Sequence, residues 1–322
     1  MVRRDGRATP DGPPRGYPAR MGDGIRLVNE RQVTFGLEGC EHPVFAPDGK
    51  RLAYYGGAYG WIQLYVVGDD GRGGRPLTCD RGNHTQPAFH PDGRHVWFRA
   101  QAANDAPWTI QRVAVDDPSD RVVVLSDPKV SFKHPSVSPD GRALAWFSDE
   151  GSPGNFHLWK APLDGASLGR RERLTASKDR NDCHPTWSPD GKRLAFHAYL
   201  GVTDAGESHV FTCDADGGDV RRLTTTPGFH KHPFFVGRDL VVFHTEGETV
   251  KRRLELVRAT DGTHLGSLTS GRHRDKHPSP YVPPRGPTRI CFASKRRGVE
   301  VPGEEPSYDV FWGVLEGVAV RR

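Results

Sequence analysis

The sequence repeats a His-Pro dipeptide, and imidazole is the side chain best suited to metal binding and to proton transfer near neutral pH. The histidines of this dipeptide are His42, His134, His184, His232 and His277, and Gln86 replaces histidine in a further copy. The prolines that follow these six residues are separated by steps of 44, 48, 50, 48 and 45 residues. Repeats of this length are typical of the four-stranded blades of β-propellers.

The residues around the dipeptide predict the strands that would position it. In four copies a short strand ends in a Pro-Asp-Gly turn, in which Pro presets φ, Asp caps the backbone and Gly takes a positive φ. Further apolar runs complete each copy as an antiparallel meander. We therefore predict an all-β fold, a six-bladed β-propeller of four-stranded antiparallel blades, as a single domain over residues 25–322. We expect residues 29–35 to close the ring as a strand of the sixth blade, and residues 1–24 to form a disordered Arg/Gly/Pro-rich arm.

Radial repetition would bring the five histidines to one axis. We expect the innermost strand of each blade to begin at the histidine, at the channel mouth. Three or four imidazole nitrogens at about 2.0–2.1 Å would suit Zn²⁺, and imidazole also suits Cu, Fe or Ni. The alternative is that each histidine donates a hydrogen bond to a carbonyl of a neighbouring blade and fixes the loop. Both interpretations remain open, because repetition is also what a structural role produces.

Charged residues flank the predicted ring. Lys133, Lys231 and Lys276 precede three of its histidines and, together with Gln86, are candidates for binding an anionic ligand. The alternative is that the lysines are solvated loop charges. Glu41, Asp182 and Asp275 are candidates for orienting the imidazoles.

The last residue of the second strand differs from copy to copy. It is Tyr55, Arg99, Phe147, His197, His244 and Ala293 in turn. His197 and His244 are candidate general bases or further ligands, and Tyr55 and Arg99 are candidates for stabilising or protonating an oxyanion. The alternative is ordinary variation at a strand end. The long loops at 198–208 and 295–307 would lie nearby and form a lid.

The His-Pro-x-x-Ser-Pro-Asp-Gly-Lys core resembles the PD40 (WD40-like) repeat of the TolB family of six-bladed propellers, over nearly the whole chain from about residue 29. The resemblance implies the fold. We expect neither a secretion signal nor a preceding α/β domain, so it does not imply a role in an envelope complex. The segments at His134 and His277, "HPSV" and "HPSP", are also similar to oligogalacturonate lyases. That resemblance implies a divalent metal, Mn²⁺ in that family, which binds an acidic sugar.

Composition excludes several other classes. Five scattered cysteines without a CxxC motif favour a reducing, cytoplasmic location, and no apolar run is long enough to span a bilayer. Part of the net charge of +5 lies in the first twenty residues, and no nucleic-acid recognition motif is present, so nucleic-acid binding by the Arg-rich arm is only a third, weaker alternative. We therefore expect a metal-binding propeller, with Zn, Mn, Fe, Cu or Ni, that acts on an anionic small molecule as a lyase or hydrolase. The alternative is a non-catalytic TolB-like scaffold that binds a protein partner on the propeller face.

Overall fold

Strands account for all of the regular structure in the part of the chain that the computed structural model describes. The described residues are 24–35, 38–58, 60–201, 206–247, 252–296 and 307–322. They form 25 β-strands and no helix, so that no membrane-spanning helix exists among them. The all-β prediction is confirmed. The predicted arm lies outside the described residues, apart from Gly24.

The first half of the chain folds into successive antiparallel sheets. After β1 (Arg26–Gln32), the first sheet contains β2 (Glu38–Phe45), β3 (Arg51–Ala58), β4 (Trp61–Gly68) and β5 (Arg75–Pro76). The second contains β6 (Asn83–Phe89), β7 (His95–Gln101), β8 (Thr109–Ala114) and β9 (Arg121–Leu125). The third contains β10 (Phe132–Val137), β11 (Ala143–Ser148) and β12 (His157–Asp164), and both β13 (Ser167–Leu168) and β14 (Glu172–Arg173) pair with β12. Each sheet is a meander, as the repeat predicts.

The second half continues the pattern with one irregularity. The fourth meander contains β15 (Arg180–Trp187), β16 (Arg193–Leu200), β17 (Ser208–Asp214) and β18 (Arg221–Arg222). The fifth contains β19 (Phe229–Val236), β20 (Leu240–Glu246), β21 (Arg253–Arg258) and β22 (His264–Ser267). A single parallel pair, Ser208 with Phe229, joins these two meanders into one eight-stranded sheet.

The last sheet combines both ends of the described chain. It contains β23 (Lys276–Tyr281), β24 (Arg289–Ser294) and β25 (Asp309–Glu316), and β1 pairs with β25 at its outer edge. The expected N-terminal strand therefore exists, although it spans residues 26–32 rather than 29–35.

The Pro-Asp-Gly turns have the predicted geometry. In the first of them Gly49 has a φ of 66°, and a Cβ at this position would lie 2.3 Å from the ring of Tyr281. The carboxylate of Asp48 accepts the backbone N–H of Lys50 at 2.8 Å. The turn therefore needs glycine both for its conformation and for its close approach to the last sheet.

Buried apolar side chains fill the space between neighbouring meanders. Leu64 of the first sheet and Phe98 of the second belong to one cluster, and Leu52 of the first sheet clusters with Val310 of the last. This packing aligns the innermost strands β2, β6, β10, β15, β19 and β23. Each contacts the next in this order, and β23 also contacts β2. Residues at equivalent positions of these strands therefore lie close to one another.

Candidate functional site

The ring residues have an unusual backbone conformation. The φ angles are 49° for His42, 56° for Gln86, 48° for His134, 56° for His184, 55° for His232 and 53° for His277. Positive φ in a non-glycine residue costs on the order of 1–3 kcal/mol and persists only where the surrounding structure enforces it. The same conformation at six equivalent positions therefore shows that the fold enforces this direction of the side chain.

A β-bulge accompanies each of these residues. In the fifth meander, for example, the register between β19 and β20 shifts between Lys231 and Phe234, on either side of His232. β19 begins at Phe229, three residues before the histidine. The expectation that each strand begins at its histidine is therefore wrong. The pairing continues on both sides of the bulge, so each ring residue lies within its strand rather than at the start of it.

The bulges bring the five imidazoles into contact. Ring centroids are 3.7 Å apart for His42 and His277, 4.4 Å for His277 and His232, 4.2 Å for His232 and His184, and 4.6 Å for His184 and His134. Gln86 completes the set, with its Nε2 2.6 Å from Nε2 of His184. We call these six residues the histidine ring. The structure thus brings together all of the residues that the sequence predicted as metal ligands.

Several nitrogens of the histidine ring lack hydrogen bonds. Within the described part of the chain, the buried Nδ1 atoms of His134, His184, His232 and His277 have no hydrogen-bond partner. The structural alternative had predicted that each imidazole donates a hydrogen bond to a backbone carbonyl of a neighbouring blade. Among the described residues, no imidazole of the ring does so. Buried polar atoms without partners are rare and costly, so these nitrogens are available to a ligand.

The ring also fits a metal in its geometry and charge. One nitrogen each of His42, His184 and His232 lies within 4.8 Å of the others. Donors of a tetrahedral site with bonds of about 2.0–2.1 Å lie about 3.4 Å apart, so a small rotation of the side chains would suffice. Burial keeps the imidazoles neutral, as metal binding requires, since it lowers the pKa of His134 to about 3 and those of the other three well below 6.5. Three imidazoles favour Zn, Cu or Ni over Mn, which prefers oxygen ligands.

The second-strand residues form a layer beside the ring. Nδ1 of His197 accepts the backbone N–H of His232 at 3.3 Å, and Nδ1 of His244 accepts that of His277 at 3.4 Å. Because burial lowers the pKa values of His197 and His244 well below 6.5, these rings are neutral and carry their proton on Nε2. They can therefore donate a hydrogen bond through Nε2, while Nδ1 supports the backbone of the histidine ring.

The other polar members of this layer contact the inner strands. The hydroxyl of Tyr55 donates to Glu41 at 2.7 Å, and Nε of Arg99 donates to the Thr85 hydroxyl at 2.7 Å. Phe147 stacks on His184 with centroids 5.2 Å apart. The layer, together with Glu41, therefore places carboxylate, phenol, guanidinium and imidazole groups next to the ring.

The predicted lysines lie against aromatic rings rather than free in solvent. Nζ of Lys133 is 4.1 Å from the ring centre of Phe156, and that of Lys231 is 4.6 Å from Phe229. Lys276 is buried, lies 3.9 Å from the ring centre of Tyr308, and forms an ion pair of 2.7 Å with Glu41. The interpretation of the lysines as solvated charges is therefore wrong for Lys276.

The predicted orienting carboxylates do not act together. Glu41 lies beside the ring, with Oε2 3.6 Å from Nδ1 of His277. Asp182 instead binds Arg180 at 2.6 Å, and Asp275 binds the Ser294 hydroxyl at 2.6 Å. Of the predicted lid loops, residues 202–205 and 297–306 lie outside the described residues.

Two features of the site have no direct signal in the sequence. One is the left-handed conformation, because proline disfavours only the right-handed α region for the residue before it. The other is a cavity of about 410 Å³ on the side of the Pro-Asp-Gly turns, which we call the apolar cavity. It is lined by the second halves of the innermost strands, including Phe45, Phe89, Trp187 and Phe235, and reaches His134.

Antiparallel meanders that pack around a histidine-lined centre are typical of a β-propeller. Comparison with solved structures shows which propellers this fold resembles. TolB from Acinetobacter baumannii matches with a TM-score of 0.61 at 16% identity, over 88% of this chain and 65% of that one. Oligogalacturonate lyase from Vibrio parahaemolyticus matches with a TM-score of 0.53 at 15% identity, over 93% and 99%. Oligogalacturonate lyase in complex with manganese matches with a TM-score of 0.53 at 14% identity, over 92% and 98%. The chain thus has the fold of TolB-like β-propellers.

Sequence relatives agree with this fold. The TolB homolog of Protochlamydia amoebophila is 25% identical over 211 residues, which are 62% of this chain and 43% of the relative. An uncharacterized protein of Agrobacterium fabrum is 26% identical over 197 residues, 60% of this chain and 61% of the relative. This chain therefore spans less than two thirds of either relative. No protein-family model matches it.

Proposed function

We propose that this protein is a metal-binding enzyme of the lyase or hydrolase type, which acts on an anionic small molecule at the histidine ring. The observation that carries the proposal is the convergence of His42, His184 and His232 from three different meanders, with donor atoms within 4.8 Å of one another. His134 and His277 would complete or adjust the ligand set. The manganese complex of a propeller with this fold supports a divalent metal by analogy of fold.

The layer beside the ring would supply the remaining chemistry. A bound metal would act as a Lewis acid that polarises a carboxylate or carbonyl of the substrate. His197 and His244 would donate hydrogen bonds to the substrate through Nε2. Tyr55 would move or hold a proton at its hydroxyl, which Glu41 accepts at 2.7 Å. Lys133, Lys231 and Lys276 would make the region positive and attract the anionic substrate.

Metal analysis tests this proposal. Protein purified without a tag or chelator should contain about one transition metal per chain, by mass spectrometry of the elements. The His184→Ala/His232→Ala variant should contain almost none, since it retains only one of the three grouped ligands. His90→Ala/His95→Ala is the matched control, because these two histidines lie at a Pro-Asp-Gly turn outside the ring and should not affect the metal content.

A metal-free result would contradict the proposal if it persisted after dialysis against Zn²⁺, Mn²⁺ and Cu²⁺. Circular dichroism must show that both variants keep the strand content of the parent. If the metal is present and the ring variant loses it, uronates and other anionic substrates become the first compounds to screen.

We also propose that the six meanders form six blades of one ring, which β1 closes by its pairing with β25. The contact of β23 with β2 and the cluster shared by Leu52 and Val310 support this arrangement. A single domain over residues 25–322 in the cytoplasm is part of the same proposal. Limited proteolysis of the whole protein tests the domain, since a closed ring should yield one resistant core.

The second candidate function is a non-catalytic TolB-like scaffold, and the apolar cavity favours it. Aromatic side chains line this cavity on the side opposite the layer of polar residues. A scaffold would bind a protein partner there and would not need the histidine ring. Partner capture by the parent and by the ring variant alike, without metal in either, would favour the scaffold over the enzyme.

A further inference from the structure

The second sheet differs from the other five meanders at two equivalent positions. Its ring residue is Gln86 where the others have histidine, and its second-strand residue is Arg99, the only cation at that position. The two residues belong to the adjacent strands β6 and β7. The side of the ring that lacks an imidazole is therefore the side that carries a guanidinium.

Arg99 is held in place by neutral groups. Nε donates to the hydroxyl of Thr85 at 2.7 Å, and the guanidinium lies 4.0 Å over the ring centre of Trp108. Among the described residues, no carboxylate forms an ion pair with Arg99. By contrast, the buried Arg253 pairs with Glu255, and the half-buried Arg121 pairs with Asp80 at 2.7 Å.

Arg99 is half-buried and lies in the strand next to that of Gln86. Burial lowers the pKa of Arg99 itself to about 10, so the side chain remains a cation at neutral pH. The protein thus keeps a half-buried cation near the histidine ring with no counter-ion among the described residues, an arrangement that an anion would stabilise.

We propose that Arg99 is the binding residue for a carboxylate group of the ligand, on the side of the histidine ring where Gln86 replaces histidine. With Nε occupied by Thr85 and one face covered by Trp108, the guanidinium is fixed in the plane that a bidentate carboxylate pair requires. This inference rests on the proposed function in one respect, namely that the same ligand then reaches the histidine ring.

Calorimetric titration with acetate and malonate, and with inorganic phosphate as the competing oxyanion, tests the assignment. Arg99→Met should weaken carboxylate binding about 10- to 100-fold, the value of a charge-assisted hydrogen-bonded pair. Arg99→Lys keeps the charge but not the planar fork, and should weaken it by a smaller factor. Arg121→Met, in the same sheet, is the control and should leave the affinity for carboxylates unchanged.

The melting temperature without ligand separates binding from a structural role. Arg99→Met removes a cation without a counter-ion, so it should melt at the same or a higher temperature than the parent. Arg121→Met leaves Asp80 without its partner and should melt lower. A lower melting temperature for Arg99→Met with unchanged carboxylate binding would overturn the proposal, as would phosphate binding as tight as that of malonate.

Metal content measured on the same proteins keeps the two proposals apart. Arg99→Met should retain the metal, because no ligand of the ring is changed. If the parent binds carboxylates through Arg99 but contains no metal, the proposed function fails and the carboxylate site stands. If it contains the metal but Arg99→Met binds malonate normally, the carboxylate site fails alone.

Discussion

The histidine ring and the apolar cavity are built from the same six strands, yet they differ in almost every property. The ring residues are polar and are held in a left-handed conformation, and the residues before them differ from copy to copy. The residues that line the cavity begin at the dipeptide, as His134 and Pro135 do before Ser136 and Val137. They are mostly apolar or small, and the regular Pro-Asp-Gly turns follow. The repeat thus builds both regions, whereas its departures, such as Gln86 and Arg99, lie at or beside the ring.

Acidification should separate the two regions most strongly. Burial lowers the folded-state pKa of all five ring histidines, and of His197 and His244, below the unfolded value of about 6.5. Below pH 6.5 the unfolded chain therefore binds more protons than the folded chain. The stabilisation that comes from the neutral histidines is fully present above this pH and is lost as the pH falls. Each histidine contributes about 1.4 kcal/mol per pH unit, and the total should be several kcal/mol per unit.

Urea unfolding in the presence of a chelator at pH 7.5, 6.5 and 5.5 measures this loss. His134→Leu removes one imidazole and should reduce the slope by about 1.4 kcal/mol per pH unit. Phe235→Leu in the apolar cavity is the control and should lower stability equally at every pH. A slope unchanged by His134→Leu would show that the ring is not the source of the acid sensitivity.

Truncation in the apolar cavity should affect stability without affecting the metal. Phe235 is buried and belongs to the cluster between the fourth and fifth meanders. Phe235→Ala should reduce the free energy of unfolding by about 3 kcal/mol, at the lower end for a buried phenylalanine because the cavity already adjoins it. Metal affinity, measured by competition with a chromophoric chelator, should stay within about twofold. A tenfold loss would mean that the two regions are coupled.

Single substitutions within the ring should rank its histidines. His42 belongs to the group of three donors within 4.8 Å, and His134 does not. His42→Ala should therefore weaken metal binding more than the 10- to 100-fold typical of a supporting residue, and His134→Ala should remain at or below that range. Titration of both variants with Co²⁺, followed by visible absorption, gives the affinities. Equal losses would assign the metal to a different set of ring histidines.

The smallest effect is expected for the support of the ring backbone. His244→Asn can place its amide oxygen where Nδ1 accepts the N–H of His277, whereas His244→Phe leaves that N–H without an acceptor. The phenylalanine variant should lose about 1–2 kcal/mol of stability relative to the asparagine variant. The Co²⁺ spectrum should also shift more in His244→Phe. Identical behaviour of the two variants would limit His244 to a role through Nε2.

The sequence predicted the scaffold well because each repeat carries its own turn chemistry and apolar pattern. It also predicted that His42, His134, His184, His232 and His277 meet, since equivalent residues of radial repeats face one axis. The position of the ring residues within their strands was not predictable, because the bulges depend on strand pairing on both sides of the dipeptide. The pairing of Arg99 with Trp108, and of Lys276 with Tyr308, depends on contacts that the repeat pattern does not specify.

The pairing of β1 with β25 also has a consequence for how the protein is made. Arg26 lies opposite Glu316, so the first strand of the described chain has no partner until the last strand has left the ribosome. Contacts between such distant segments slow folding, because a long loop must close before they form. A nascent chain would therefore expose the edge of β1 throughout synthesis, and rapid translation of the C-terminal part would shorten the period in which it can aggregate.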